Sequence, residues 1–125
     1  MSDDLARIES ISAITVFTAD MARAVRFFEA LGMTRCSGGA DAPFSSFRAG
    51  SGYVNVAVGR APTHVWGRAI LYVADVDAMY ARVLAAGYQA ATTPADAPWG
   101  ERYFHVRDPD GNEFSFARPL TEARP

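Results

Sequence analysis

The sequence predicts an α+β fold made of two tandem βαβββ modules. Three observations carry that prediction: an internal repeat at a fixed offset, a strand-then-helix periodicity in each copy, and turn signals at matching places. Residues 16–33 read VFTADMARAVRFFEALGM, and residues 71–88 read LYVADVDAMYARVLAAGY. Ala19-Asp20 recurs as Ala74-Asp75, and Gly32 recurs as Gly87, both 55 residues on with no gap between them.

Each copy opens on a β-branched and aromatic run, 11–17 in the first and 69–73 in the second, which reads as a strand. Asp20 and Asp75 follow where a side-chain carboxylate can accept from the free amides of a starting helix. The helices then align Met21, Ala24, Val25, Phe28 and Leu31 on one face, matched by Val76, Met79, Tyr80 and Val83. Gly32 and Gly87 suit the left-handed position that closes a helix. Three further strand-like runs come after each glycine: 33–36, 44–49 and 53–58 in the first copy, 88–91, 102–107 and 113–117 in the second. The turns Ala49-Gly-Ser-Gly and Asp108-Pro-Asp-Gly-Asn separate the last pairs. One domain over 9–118 is expected, with modules at about 9–58 and 68–118 and a linker at 59–67.

Composition narrows the functions open to such a domain. A chain of 125 residues can bury roughly two-thirds of its unfolded surface and needs no disulfide to fold. Net charge is −2 without any concentrated basic stretch, so neither nucleic acid nor an anionic membrane is an expected partner. All twelve basic residues are Arg; the absence of Lys excludes Schiff-base chemistry, pyridoxal phosphate attachment and a phosphate-loop lysine. Cys36 is the only cysteine, which excludes an intrachain disulfide and a cysteine-based zinc site, and it is expected in the core. The first seven residues lack the apolar run of a signal peptide, and no segment has the roughly 20 apolar residues of a membrane span. A cytoplasmic location is the expectation.

The run Ala-Asp-Met-Ala-Arg-Ala-Val-Arg-Phe-Phe-Glu-Ala-Leu-Gly at 19–32, with Asp-Pro-Asp-Gly-Asn at 108–112, resembles the vicinal oxygen chelate superfamily. That superfamily includes glyoxalase I, extradiol dioxygenases, methylmalonyl-CoA epimerase, thiol-transferring fosfomycin resistance enzymes and bleomycin-resistance proteins. The likeness covers about 9–118, and Pro98-Trp99-Gly100-Glu101-Arg102 looks most like the bleomycin-resistance branch. It implies a curved mixed sheet enclosing a cleft, and a homodimer. Metal-dependent members hold their ion with a His on the first strand of a module and a Glu on its last. Those positions fall here at Ala13, Arg68 and Ser115, with Asn55 or Val56 as the remaining counterpart and strand alternation favouring Asn55. A methyl, a fixed cation and a neutral hydroxyl make no divalent-ion site, so no metal and no other cofactor is expected. Glu113, two residues from Ser115 on the same face, would need partners, and only His64 and His105 exist to provide them.

Alternation then sorts side chains toward the cleft: Ala13, Thr15 and Phe17; Arg68, Ile70 and Tyr72; Tyr103 and His105; Glu113, Ser115 and Ala117. Candidate ligand contacts are Phe17, Asn55, Trp66, Arg68, Tyr72, Trp99, Tyr103, His105, Glu113 and Ser115. Arg68 either pairs with a ligand anion or salt-bridges to Glu113. Trp66 and Trp99 either stack on a planar ligand or anchor loops and dimer contacts, and Phe44 and Phe47 carry a weaker form of the same choice. His105 has the pKa of a general base but no visible carboxylate to orient it, and His64 is expected to be a solvated linker residue. No nucleophile-elbow pattern surrounds Ser115, so a serine hydrolase is set aside. The expected function is metal-independent binding of a small organic ligand, sequestering an antibiotic or another planar metabolite without catalysis. The alternative is a metal-dependent lyase, isomerase or dioxygenase of the same superfamily.

Overall fold

A computed structural model of the chain describes residues 5–7, 9–60 and 66–121. His64, most of the linker and the first four residues lie outside that set. The first module runs β1 (Ala13–Thr18), α1 (Met21–Ala30), β2 (Thr34–Ser37), β3 (Phe44–Ala49) and β4 (Gly52–Val58). The second runs β5 (Arg68–Tyr72), α2 (Val76–Ala85), β6 (Ala95–Asp96), β7 (Glu101–Arg107) and β8 (Glu113–Pro119). Each module forms its own four-stranded mixed sheet, in the orders β1-β4-β3-β2 and β5-β8-β7-β6. In each the first strand runs parallel to the last, and the remaining ladders are antiparallel. The two tandem βαβββ modules of the sequence are therefore present.

The helix signals act as read. Asp20 and Asp75 accept from the amides of Arg23 (3.1 Å) and Ala78 (3.0 Å), and Gly32 and Gly87 take φ of 94° and 90°. A side chain at Gly32 would also meet the Arg82 guanidinium, which reaches the α1 terminus and donates to Leu31 O at 3.4 Å. The apolar face of α1 is wider than its periodicity implied, because Phe27 is fully buried beside Phe28. Phe28 packs on Phe47 of its own sheet and Phe114 of the other module, at centroid distances of 5.5 and 5.6 Å. Phe27 meets Tyr88 edge-on at 4.9 Å. The core is thus one cluster shared by both modules.

Two expectations need correction. Residues 88–91 form no strand: a single bridge joins Ala90 to Val106, and the edge strand comes later as β6. Pro94 has no N–H for a ladder, and Thr92 turns its hydroxyl to the His105 amide at 2.9 Å, so regular pairing starts only beyond them. Cys36 is exposed, not core. It lies on β2, an outer strand whose four residues are all exposed, and no second layer covers either face there. Among the described residues, no helix is long and apolar enough to cross a membrane.

The modules are pinned at one end of their facing edges. The Asp108–Asn112 turn delivers Asp110 to Thr18 Oγ1 (2.5 Å), the Ala19 amide (3.1 Å) and the Arg23 guanidinium (2.7 Å). Asn112 Nδ2 donates to Phe17 O at 3.2 Å. Toward the other end, β1 and β5 make no ladder with each other, and a cavity of about 670 Å³ opens between them.

Candidate functional site

Strand register brings most of the candidate residues onto one face of the second sheet. Cross-strand pairing sets them in rows: Arg107, Glu113 and Arg68; then His105, Ser115 and Ile70; then Tyr103, Ala117 and Tyr72. Glu101 comes next along β7, with Trp99 in the turn before it. Glu113, Ser115 and Ala117 are buried because β8 is central in the sheet and the side chains of β5 and β7 lean over it. Ile70 and Tyr72 are exposed, and Trp99 is 63% exposed.

The first row is an ion-pair cluster. Arg68 Nε donates to Glu113 Oε2 at 2.5 Å, Arg68 Nη2 closes on the same oxygen, and Arg107 Nη2 lies 3.4 Å from Oε1. Of the two roles open to Arg68, the structure shows the salt bridge. Two guanidiniums against one carboxylate still leave the row one positive charge in excess. Burial is the largest single influence on the Glu113 carboxyl and would raise it, but the Arg68 hydrogen bond and the charges of Arg68, His105 and Arg107 together hold it below the ordinary value.

In the second row Ser115 Oγ and His105 Nδ1 share a 2.5 Å hydrogen bond. Burial lowers the His105 pKa from 6.5, and the Arg68 charge adds to that effect. The neutral form of His105 is therefore favoured, and the imidazole tautomer sets which of Nδ1 and Oγ donates across the contact. Ser115 is too buried to act as an accessible nucleophile, and no carboxylate hydrogen-bonds to the imidazole among the described residues. A ladder of rings follows: His105 and Tyr103 have centroids 5.1 Å apart, and Tyr103 and Trp99 5.6 Å apart with planes 31° from parallel. Glu101 closes the row, accepting from Trp99 Nε1 at 3.0 Å and from the Tyr72 hydroxyl.

Not every candidate joins this face. Trp66 sits at the pinned end, donating to Asn112 Oδ1 at 3.3 Å. Trp99 lies beyond the opposite end of β7, and the six steps from Glu101 to Arg107 span about 20 Å, so the two tryptophans cannot hold one small ring together. Phe17 and Asn55 face outward on the first sheet, Asn55 donating weakly to Thr15 Oγ1 at 3.5 Å. Phe44 is exposed there as well, whereas Phe47 is wholly core. Sequence reasoning missed Arg107, which ends the strand Tyr103 and His105 occupy, and Glu101, which was read only as part of a motif. Alternation from His105 would have placed both on the same face.

The positions at which metal-dependent members of the resembling family hold an ion do not fit one here. Ala13 offers a methyl group, Arg68 a cation, and Ser115 a hydroxyl already bonded to His105. Both Glu113 oxygens face arginines, and no group of three His, Cys, Asp or Glu side chains suited to a metal exists among the described residues.

The glyoxalase/bleomycin resistance protein/dioxygenase family model matches residues 10–116. The chain belongs to that superfamily. An uncharacterised protein of Mycobacterium bovis is 41% identical over 64 residues, a match spanning 49% of this chain and 42% of that protein. Among solved structures, TioX from Micromonospora sp. ML1 superposes with a TM-score of 0.73 at 27% identity, over 90% of this chain and 100% of that one. The fosfomycin resistance protein FosX from Mesorhizobium loti superposes with a TM-score of 0.73 at 20% identity, over 89% and 92%. At that identity FosX shows the superfamily fold alone.

One expected result follows from the ion-pair row. Arg68→Met leaves Glu113 buried with only the longer Arg107 contact, and because Arg68 is itself 42% exposed the loss is modest, about 1–2 kcal/mol. Glu113 has a lowered folded-state pKa, so the wild-type contribution is present above the ordinary carboxylate value of 4.5 and fades as pH falls through the folded one. The variant's deficit in urea melts should accordingly hold from pH 7 down to about 4.5 and shrink below it. In the same variant the His105 imidazole should titrate at higher pH by NMR, since a repelling cation is gone. An unmoved His105 midpoint would show that Arg68 does not act on this face.

Proposed function

We propose that the protein binds a planar organic molecule on the ring ladder of its second module, without a metal and without changing the ligand covalently. The ladder of Trp99, Tyr103 and His105 carries the reading: offset rings with an exposed outer member suit stacking on a flat partner. The excess positive charge of the Arg68–Glu113–Arg107 row favours an anionic group at one end, and Glu101 favours a cation or donor at the other. A ligand that reaches both is extended and multi-ringed. Metal independence rests on the donor chemistry at Ala13, Arg68 and Ser115. Sequestration of an antibiotic is the role in view. A single domain over 9–118, a homodimer and a cytoplasmic location belong to the same proposal.

Titration with 2-naphthoate, read by tryptophan fluorescence, tests the face. Saturable quenching is expected, with Trp99→Ala weakening binding about tenfold or more, the usual worth of one stacked ring. Quenching that survives Trp99→Ala unchanged would remove the ladder from the site. Elemental analysis after purification without chelator, followed by zinc, nickel, iron and manganese titrations, tests the metal. One tightly held ion per chain would favour the superfamily's lyase, isomerase or dioxygenase chemistry instead.

A further inference from the structure

The gap between the two sheets has chemistry of its own. β1 and β5 are the facing edges of their sheets, yet they form no ladder, and the 670 Å³ cavity between them is within the roughly 300–1,000 Å³ of ordinary small-molecule sites. Its apolar walls come from both modules: Ile14, Leu31 and Met33 on one side, Leu71, Met79 and Phe116 on the other. Met33 and Met79, one from each module, both line the slot, and methionine adapts to flexible aliphatic chains. The hairpin of β3 and β4 also lines the cavity, contributing Arg48 from β3 and Tyr53 from β4.

Charge decides what fits. Among the described residues, the only charged side chains lining the cavity are Arg48 and Arg68, and no acidic one does. Arg68 is matched by Glu113, as described above. Arg48 has no carboxylate partner among the described residues: its Nη2 donates to Tyr53 Oη at 3.1 Å, and its guanidinium carbon lies 5.0 Å from that ring's centroid. Tyr53 thus steadies the guanidinium without neutralising it. One uncompensated planar cation beside an apolar slot matches a single carboxylate bearing an aliphatic tail.

We infer that the cavity between β1 and β5 binds an aliphatic monocarboxylate, its head on Arg48 and its tail between Met33 and Met79. The cavity borders the ring-ladder face along β5, where Arg68, Ile70 and Tyr72 line it, but Trp99, Tyr103 and His105 do not, and its head-group residue belongs to the first module. Neither reading needs the other to hold.

Calorimetry with decanoate tests the inference, with decyltrimethylammonium as the same tail bearing the opposite charge. Saturable binding of one decanoate per chain is expected, and none of the ammonium. Arg48→Met should weaken decanoate about tenfold or more, the worth of one charge-assisted contact. Arg26→Met removes an exposed charge on α1 outside the cavity and should change nothing. Met79→Trp should abolish binding by filling the slot; should that variant misfold by circular dichroism, Met33→Phe fills the opposite wall to the same effect. By NMR, decanoate should shift the Met79 methyl and not the Trp99 indole, whereas 2-naphthoate should do the reverse. Equal binding of both amphiphiles, no saturable decanoate binding, equal losses in Arg48→Met and Arg26→Met, or a shift confined to Trp99 would each overturn it.

Discussion

Phe28→Ala is expected to cost about 3–5 kcal/mol, the largest loss from any single truncation considered for this fold. The ring is fully buried and touches Phe27 at 5.1 Å, Phe47 in the first sheet and Phe114 in the second. Removing it opens a void at the point where the modules share their core, and rigid sheets on both sides limit collapse into it. Domains of this size are stable by only about 5–15 kcal/mol, so the variant should melt at least roughly 10 °C lower. Phe44→Ala is the matched control, since its ring is exposed on the first sheet, and it should stay within about 0.5 kcal/mol of the parent. Urea denaturation of both measures the difference. A Phe28→Ala loss under 1 kcal/mol would mean that the shared cluster is not what joins the modules.

The fold was legible because its signals are local. The Asp20 and Asp75 caps, the Gly32 and Gly87 closures and the period of each helix are set by a few consecutive residues, and repetition at one offset confirmed each copy with the other. The 88–91 run was misread because periodicity cannot see that Thr92 and Pro94 defer pairing to β6. Cys36 was misplaced because composition says how often cysteine is buried, not that β2 lies at the outside of a sheet.

The site was legible only as far as alternation reaches. Counting by twos put Arg68, Tyr72, Tyr103, His105, Glu113 and Ser115 on one face, and register confirmed that grouping. It could not show that Arg68 and Glu113 are each other's partners, nor that Ser115 bonds to His105, because those contacts depend on which residues sit opposite across a ladder. The Arg48 cavity was beyond sequence altogether. It exists because two edge strands fail to pair, and no residue pattern marks the absence of a ladder. Trp66 and Trp99 resembled each other as loop tryptophans, yet the register of β7 and β8 separates them by the length of a strand.

Asn112→Ala is the second large effect expected, and it acts through hydrogen bonds where Phe28 acts through packing. Asn112 is 2% exposed, and its side chain joins three segments: Nδ2 donates to Phe17 O in the first module and to Asp108 Oδ2 at 2.9 Å, while Oδ1 accepts from Trp66 Nε1. Alanine leaves the Phe17 carbonyl and one Asp108 oxygen without these donors, a loss of about 2–4 kcal/mol. Its pH dependence has a definite sign. Burial raises the Asp108 pKa above 3.8, and the Asn112 side chain opposes that rise. An acid with a raised folded-state pKa is penalised when ionised; the penalty is absent below its unfolded value and complete above its folded one. Taking away the Asn112 donor lifts the Asp108 pKa further and enlarges the penalty, so the Asn112→Ala deficit should be greater at pH 7 than near pH 4. This trend parallels that of Arg68→Met, and Trp66 separates the two. In a Trp99→Phe background the emission of Trp66 should shift to longer wavelength with Asn112→Ala, as the indole loses its partner, and stay put with Arg68→Met. A deficit that is constant with pH, together with unaltered Trp66 emission, would show that Asn112 does not hold the pinned end of the modules.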